Sequence, residues 1–316
     1  YISDKRIHLA SLMDQKWSLM EVPDAGPYGL KLSIAISPNG DVHIFSFNEK
    51  DGRLRHDIYT NSKWSSEIVN TLKPITDADA SISAKFDLRG RLLVCYVDFR
   101  PNVLVLLVKE SNESMWHSQE LQCGPGQLYD CINMELDRDG NAVLAFAAGD
   151  SVYLGTFEGT WKYSLVAKFA DIDGGWPVLA IDSQGKPAIA YMTGAPDWNL
   201  RLARLINGSW QESRINRNSE VVYSQYSIAS GDAGKIYVTY LGNTSSEQVL
   251  AIFDQAASNY TEFSSEHSGN TYRVIQQPSI ARGKDGNIHV LFARLQLDEN
   301  TPVDNEKLGL FDAVLE

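Results

Sequence analysis

The chain has little cysteine, no long apolar run and a minority of positive charge. Three cysteines cannot staple 316 residues, which excludes a disulfide-built mini-domain and leaves stability to a buried core. The apolar run VLVLLV (103–108) is far short of the ~18 residues that a membrane helix needs, so a membrane partner is not expected. Lys and Arg number 28 against 40 Asp and Glu, a net charge of −12. Such a surface repels phosphate backbones, and nucleic acid is not an expected partner either. Helical periodicity is nearly absent as well. What remains is ordinary globular composition, 43% hydrophobic and 22% charged, which excludes a disordered or collagen-like chain.

The sequence opens at Tyr1 without a hydrophobic leader. Four Asn-X-Ser/Thr sequons, at Asn112, Asn207, Asn243 and Asn259, give the expectation of a secreted or secretory-lumen glycoprotein. Cys123 and Cys131 flank CGPGQLYDC, a loop short enough for a disulfide, while Cys95 sits in an apolar strand and reads as a buried thiol.

An internal repeat organises the chain. Gly40, Gly90, Gly140, Gly185, Gly234 and Gly286 each punctuate a pair of apolar runs, on a beat of about 50 residues. Trp17, Trp64, Trp116, Trp161, Trp210 and then Tyr260 keep the same beat. Each unit reads as four strands: an apolar run such as LSIAIS, a Gly turn, a run such as DVHIFSF, an alternating strand such as LRLARL, and a Trp-led strand such as WQESRI. Asn-Gly and Asp-Gly at the turns point to two-residue hairpins with positive φ. Four antiparallel strands per unit are the mark of a propeller blade. The expected fold is therefore all-β, a six-bladed β-propeller in one domain, with units near 30–70, 79–122, 130–168, 176–216, 225–266 and 277–316 plus 1–23. KRIHLASL and KWSLMEV read as third and fourth strands, so strands from both termini are expected to complete the last blade. Seven blades is the alternative. The repeated Trp reads as packing between neighbouring blades.

Function is expected on the face of the longer loops, opposite the Gly turns. Tyr28, Tyr129, Trp176, Tyr223 and Tyr272 enter first strands, and Phe47, Phe99, Trp198 and Tyr240 lie near the ends of second strands. Pointing inward, these would form an aromatic collar over one central pocket. In a small-molecule enzyme built there, Tyr223, Arg294 and Asp98 are the catalytic candidates. Tyr28, Arg100, Tyr129, Trp176, Trp198, Tyr240, Tyr272 and Gln277 are the ligand-binding ones. The acidic pair Asp171 and Asp173 could hold a cation or simply make a solvated turn. Asp98 and Asp197 are the carboxylates available if the protein is a glycosidase or lyase. The other catalytic templates fail. The histidines show no HxH or HExxH spacing, and His43 and His289 read as packed in second strands. No nucleophile elbow or phosphate loop occurs. DSQGKP and DRDGNA share the Gly of the sialidase Asp-box but lack its Trp. No metal and no cofactor are expected; the expected partner is a small organic molecule or a sugar.

The six units, the period and the cadence of Gly turn, Arg-bearing third strand and Trp resemble the fungal fucose-lectin superfamily, most clearly in DGRLRHDIYTNSKW (51–64). The resemblance implies a six-bladed propeller with sugar sites between blades, each built from an Arg, a Glu and aromatics. Arg55 and Arg201 stand at the Arg position, whereas VYLGTF and VLAIF in the third and fifth units carry no Arg. In architecture the chain is also similar to fungal propeller enzymes that perform hetero-Diels–Alder coupling in tropolone–sesquiterpene biosynthesis. That likeness implies a cycloaddition driven by positioning and by one polarising donor, without a cofactor.

Overall fold

The structure, a computed structural model, describes residues 2–3, 6–13, 16–23, 28–48, 52–69, 81–98, 101–123, 126–169, 175–196, 198–216, 221–243, 248–254, 259–264, 266–267, 270–274, 278–283, 286–297 and 307–315. Two compact units divide the chain. One comprises Tyr1–Gly149 with Leu154–Ser164, the other Asp150–Tyr153 with Leu165–Glu316.

The described residues are almost entirely strand, in small antiparallel sheets of propeller-blade type. β1 (Ile2–Ser3), β2 (Arg6–Met13) and β3 (Lys16–Glu21) form a three-stranded sheet. Then come β4 (Tyr28–Ile36), β5 (Val42–Asn48), β6 (Leu54–Thr60) and β7 (Lys63–Ile68), paired in chain order. The same order holds for β8 (Ile82–Phe86), β9 (Leu92–Asp98), β10 (Val103–Lys109) and β11 (Trp116–Leu121). It holds again for β12 (Leu128–Leu136), β13 (Ala142–Ala148), β14 (Ser151–Phe157) and β15 (Trp161–Lys168), the sheet within which the unit boundary falls. In the second unit β16 (Gly175–Ile181), β17 (Pro187–Met192), β18 (Leu200–Ile206) and β19 (Ser209–Arg214) make one sheet. β20 (Val221–Ser230), β21 (Ile236–Asn243), β22 (Gln248–Asp254) and β23 (Asn259–Ser264) make the next.

The last sheet has five strands: β24 (Glu266–His267), β25 (Asn270–Val274), β26 (Ser279–Arg282), β27 (Ile288–Leu297) and β28 (Lys307–Leu315). Its first strand is broken in two. β25 pairs one half of β27 and β26 the other. Among the described residues there are thus five four-stranded blades, not six alike. β2 and β3 are hairpin strands as expected, but they share a sheet with β1 rather than with the C-terminal strands.

Strand character follows from the residues. Among the second strands, AVLAFAA in β13 is buried at every position, and β5, β9 and β17 are buried along most of their length, as runs covered on both faces must be. The Trp-led fourth strands are polar and mostly exposed, as in KWSSEI of β7.

The Gly turns hold, in a different form from that expected. Gly40, Gly90, Gly140, Gly185 and Gly286 all have positive φ, between 76° and 89°. Each donates its N–H to the residue three before it, and that residue's N–H bonds the carbonyl beyond the glycine, as in Gly90 to Asp87 and Asp87 to Arg91. These are three-residue loops, a tight turn followed by a left-handed glycine. The opening side chain selects them. Asp87 Oδ1 accepts the N–H groups of Arg89 and Arg91, and Asp137 and Asp182 repeat the pattern. Two-residue turns with both φ positive occur instead at Asn61-Ser62 and Asn207-Gly208, between third and fourth strands.

Contacts between neighbouring sheets recur at the repeat period. Ser33 Oγ accepts the Ala84 N–H at 2.9 Å, Ser83 Oγ accepts the Met134 N–H at 3.1 Å, and Ser183 Oγ accepts the Gly234 N–H at 3.2 Å, each across 51 residues. Two of the repeated tryptophans pack between sheets, as expected. Trp64 lies against Ile7, Val22 and Ile44, and its Nε1–H points to Met20 Sδ at 3.3 Å. Trp116 sets its edge against Phe45 and His56 of the preceding sheet. No disulfide forms between Cys123 and Cys131; both, like Cys95, are buried thiols. Cys123 is turned to the Leu121 carbonyl at 3.3 Å, and burial pushes its thiol up to about 11.

Candidate functional site

The aromatics expected at the strand entrances occupy a recurrent irregularity of the first strands. The register shifts between Tyr28 and Leu32 in β4, between Leu128 and Ile132 in β12, between Gly175 and Val178 in β16, and between Val222 and Tyr226 in β20. Tyr28, Tyr129, Trp176 and Tyr223 stand at or within these bulges. Tyr272 lies in β25 opposite Gln296, just before the break in the last sheet. A bulge bends a strand and re-aims its side chains, and such features concentrate beside functional sites.

Three of the nominated residues come together. Trp176 and Trp198 are half-buried and pack against one apolar cluster that includes Tyr226 and the fully buried Tyr240. Both tryptophans hold left-handed backbone, φ 43° and 45°, which is rare for a bulky side chain. The Tyr226 hydroxyl fixes one of them by donating to the Trp176 carbonyl at 2.6 Å. Elsewhere Asp98 ends β9 opposite Val103 and is half-buried, as is Tyr129. Arg294 stands in β27 opposite Val274 and Gly309. Arg100, Gln277, Asp171, Asp173 and Asp197 lie outside the described residues.

The two arginines at the resemblance position differ sharply. Arg55 is buried and tied to its neighbours. Its Nε–H reaches both oxygens of Asp57 at 2.8 and 2.9 Å, and its Nη2 bonds Ser66 Oγ and the Pro23 carbonyl. Arg201, at the same place in β18, has among the described residues a long ion pair alone, Nη1 to Glu212 Oε2 at 3.4 Å. Its Nε is buried with no hydrogen-bond partner among the described residues. Glu212 is held by Tyr191, whose hydroxyl donates to Oε2 at 2.5 Å. Burial first, and the Glu212 carboxylate second, push the Tyr191 phenol well above its ordinary range, so it stays a donor. Glu212 and Tyr191 escape a reading of the sequence because they meet Arg201 only through strand pairing.

No family model matches the chain, and no curated protein matches it. Solved structures do. A mutant of the Aleuria aurantia lectin, in complex with Fucα1-6GlcNAc, is 12% identical with a TM-score of 0.56, over 90% of this chain and 95% of that one. AofleA from Arthrobotrys oligospora is 10% identical with a TM-score of 0.56, over 91% and 89%. The NanB sialidase from Streptococcus pneumoniae is 10% identical with a TM-score of 0.53, over 84% of this chain and 65% of that one. These likenesses establish a β-propeller fold; the Aleuria lectin is described as six-bladed and fucose-specific. Fold alone does not choose between a lectin and a glycosidase. Nothing in the geometry or in these likenesses supports cycloaddition.

Proposed function

We propose that the protein binds carbohydrate as a lectin-type propeller, and that Arg201 and Glu212 form a sugar site. The observation that carries this reading is the buried Arg201 Nε, without a partner among the described residues, next to a partly exposed carboxylate. An unmet buried donor costs about 1–3 kcal/mol, and a ligand hydroxyl would relieve that cost. Neighbouring sugar hydroxyls can accept from a guanidinium while donating to a carboxylate, which makes charge-assisted bonds to both groups at once. The lectin neighbours, some of them bound to fucosides, support the same class of ligand. Because Arg55 is consumed internally, it contributes no such site.

A glycan array followed by calorimetry with methyl α-L-fucoside tests the reading. Binding should appear in the parent and weaken in Arg201→Ala and Glu212→Gln while both variants stay folded. Absence of binding to every glycan, or undiminished binding by Arg201→Ala, refutes it.

A further inference from the structure

A cleft lies within the first unit, between the sheets β4–β7 and β8–β11. It has a volume of about 480 Å³, and its walls come from the Ser37–Asp41 turn, the Arg89–Gly90 turn and the loop after Lys109. It therefore opens at the tight-turn end of the strands, away from the loops nominated from sequence.

A chain of three side chains ends in this cleft. Glu67 Oε1 receives His56 Nδ1 at 2.9 Å, Lys109 Nζ at 2.9 Å and Trp116 Nε1 at 3.2 Å. His56 Nε2 in turn meets His43 Nδ1 at 2.8 Å. His56 is almost fully buried, stacked on Phe45 with ring centroids 4.4 Å apart and edged by Trp116. His43 lines the cleft beside Phe86, with ring centroids 4.8 Å apart.

Proton placement follows from the donor rules. A carboxylate only accepts, so His56 carries its proton on Nδ1. Burial keeps His56 uncharged, and its Nε2 is then an acceptor. His43 must donate from Nδ1, which leaves His43 Nε2 as a bare lone pair. Among the described residues it meets no hydrogen-bonding partner.

We propose that this cleft is a ligand site for a neutral, hydroxyl-bearing molecule of the sugar or polyol class, with His43 Nε2 accepting a hydrogen bond from one ligand hydroxyl. The charges around it favour a neutral occupant because they are mostly paired. Lys109 is held by Glu67, Glu110 lies 3.8 Å from Arg91, and Glu113 bonds His117. The apolar wall of Ile58, Phe86 and the exposed Leu88 suits the carbon face of a ring. The site is separate from Arg201 and does not depend on the sugar reading made there.

The test is long-range ¹H–¹⁵N NMR on histidine-labelled protein, titrated with methyl α-L-fucoside, methyl β-D-galactoside, methyl α-D-mannoside and methyl β-D-glucoside. Unliganded protein should show protonated Nδ1 and bare Nε2 at both His43 and His56. At least one glycoside should shift the His43 Nε2 resonance saturably. In calorimetry, His43→Asn, which keeps a donor towards His56 and removes Nε2, should weaken binding of that glycoside at least tenfold. Phe86→Ala should weaken it too, whereas Arg201→Ala should leave it in place. A protonated Nε2 on His43, no saturable shift with any of the four glycosides, or loss of the shift in Arg201→Ala overturns the proposal. The last outcome assigns sugar binding to the Arg201 site alone.

Discussion

Ser83 Oγ accepts the backbone N–H of Met134 at 3.1 Å and lies 3.5 Å from its carbonyl, although the two residues are 51 positions apart. Both are buried. Ser83→Ala strands that N–H without a partner, and an unmet buried donor costs about 1–3 kcal/mol. Urea unfolding should show a loss of that size. An unchanged midpoint would mean that the bond adds nothing to the docking of one sheet on the next.

Trp116 fills the space between two sheets, 7% exposed, with its edge on Phe45 and His56, Lys109 Nζ 5.3 Å from its ring centroid and its Nε1–H on Glu67. Trp116→Ala should cost about 3–5 kcal/mol through the cavity it leaves. Thermal melts would read this as a large drop in Tm. A drop as small as that of an exposed fourth-strand substitution such as Ser65→Ala would remove the packing role assigned to the Trp series.

Acid should weaken the protein in two stages. Burial first, then His56, lowers His43 from 6.5 to about 4. The unfolded chain therefore takes up that proton sooner, and the stability due to neutral His43 is complete above pH 6.5 and lost between 6.5 and 4. The charged groups facing His43 are Asp41, Lys109 and Glu67. Glu67 is lowered from 4.5 to about 2, chiefly by its bond from His56, so its contribution is present above pH 4.5 and lost towards pH 2. Urea midpoints across pH should fall in both windows. His43→Asn should make the upper window shallower, leaving the share of the buried, neutral His56, and spare the lower one; an unaltered upper window in that variant contradicts the assignment.

Two glycines separate conformational strain from steric overlap. Gly40 has φ +89° and open space where a Cβ would stand, so Gly40→Ala should cost only the left-handed penalty of about 1–2 kcal/mol. At Gly126, φ +115°, a Cβ would meet the Gly149 backbone at 2.9 Å. Gly126→Ala should exceed about 4 kcal/mol, the range of severe single substitutions. Equal melting temperatures for the two variants would overturn the comparison.

The repeat was legible because its marks are compelled by physics. Positive φ demands glycine at Gly90 and Gly140, and the gap between sheets demands a large ring at Trp64 and Trp116. The turn type was misread because Asn-Gly and Asp-Gly carry the glycine signal of two kinds of loop. The residue that decides, Ser37, Asp87, Asp137 or Asp182, stands two places before the pair and acts through its side chain. Arg201 was visible at the Arg position of an alternating third strand. Its partners were not, since Glu212 and Tyr191 reach it only after β17, β18 and β19 have paired. The same holds for His43, which looked like a packed residue of a second strand. Its link to Glu67 runs through His56, and the pairing of His56 directly opposite Glu67 is a matter of register.

The serine bonds make the unit built on β8 a self-contained cassette. The strand β8 offers the Ala84 N–H to the serine of the unit before it and presents Ser83 to the unit after it. Both couplings are therefore carried on one short piece of chain. A duplicated copy inserted in phase would bring a matched acceptor on one side and a matched donor on the other, leaving no raw edge at either junction. Inheritance by copying whole units is then cheap, while the side chains that differ between copies, such as Arg55 and Arg201, are free to diverge towards structure in one place and recognition in another.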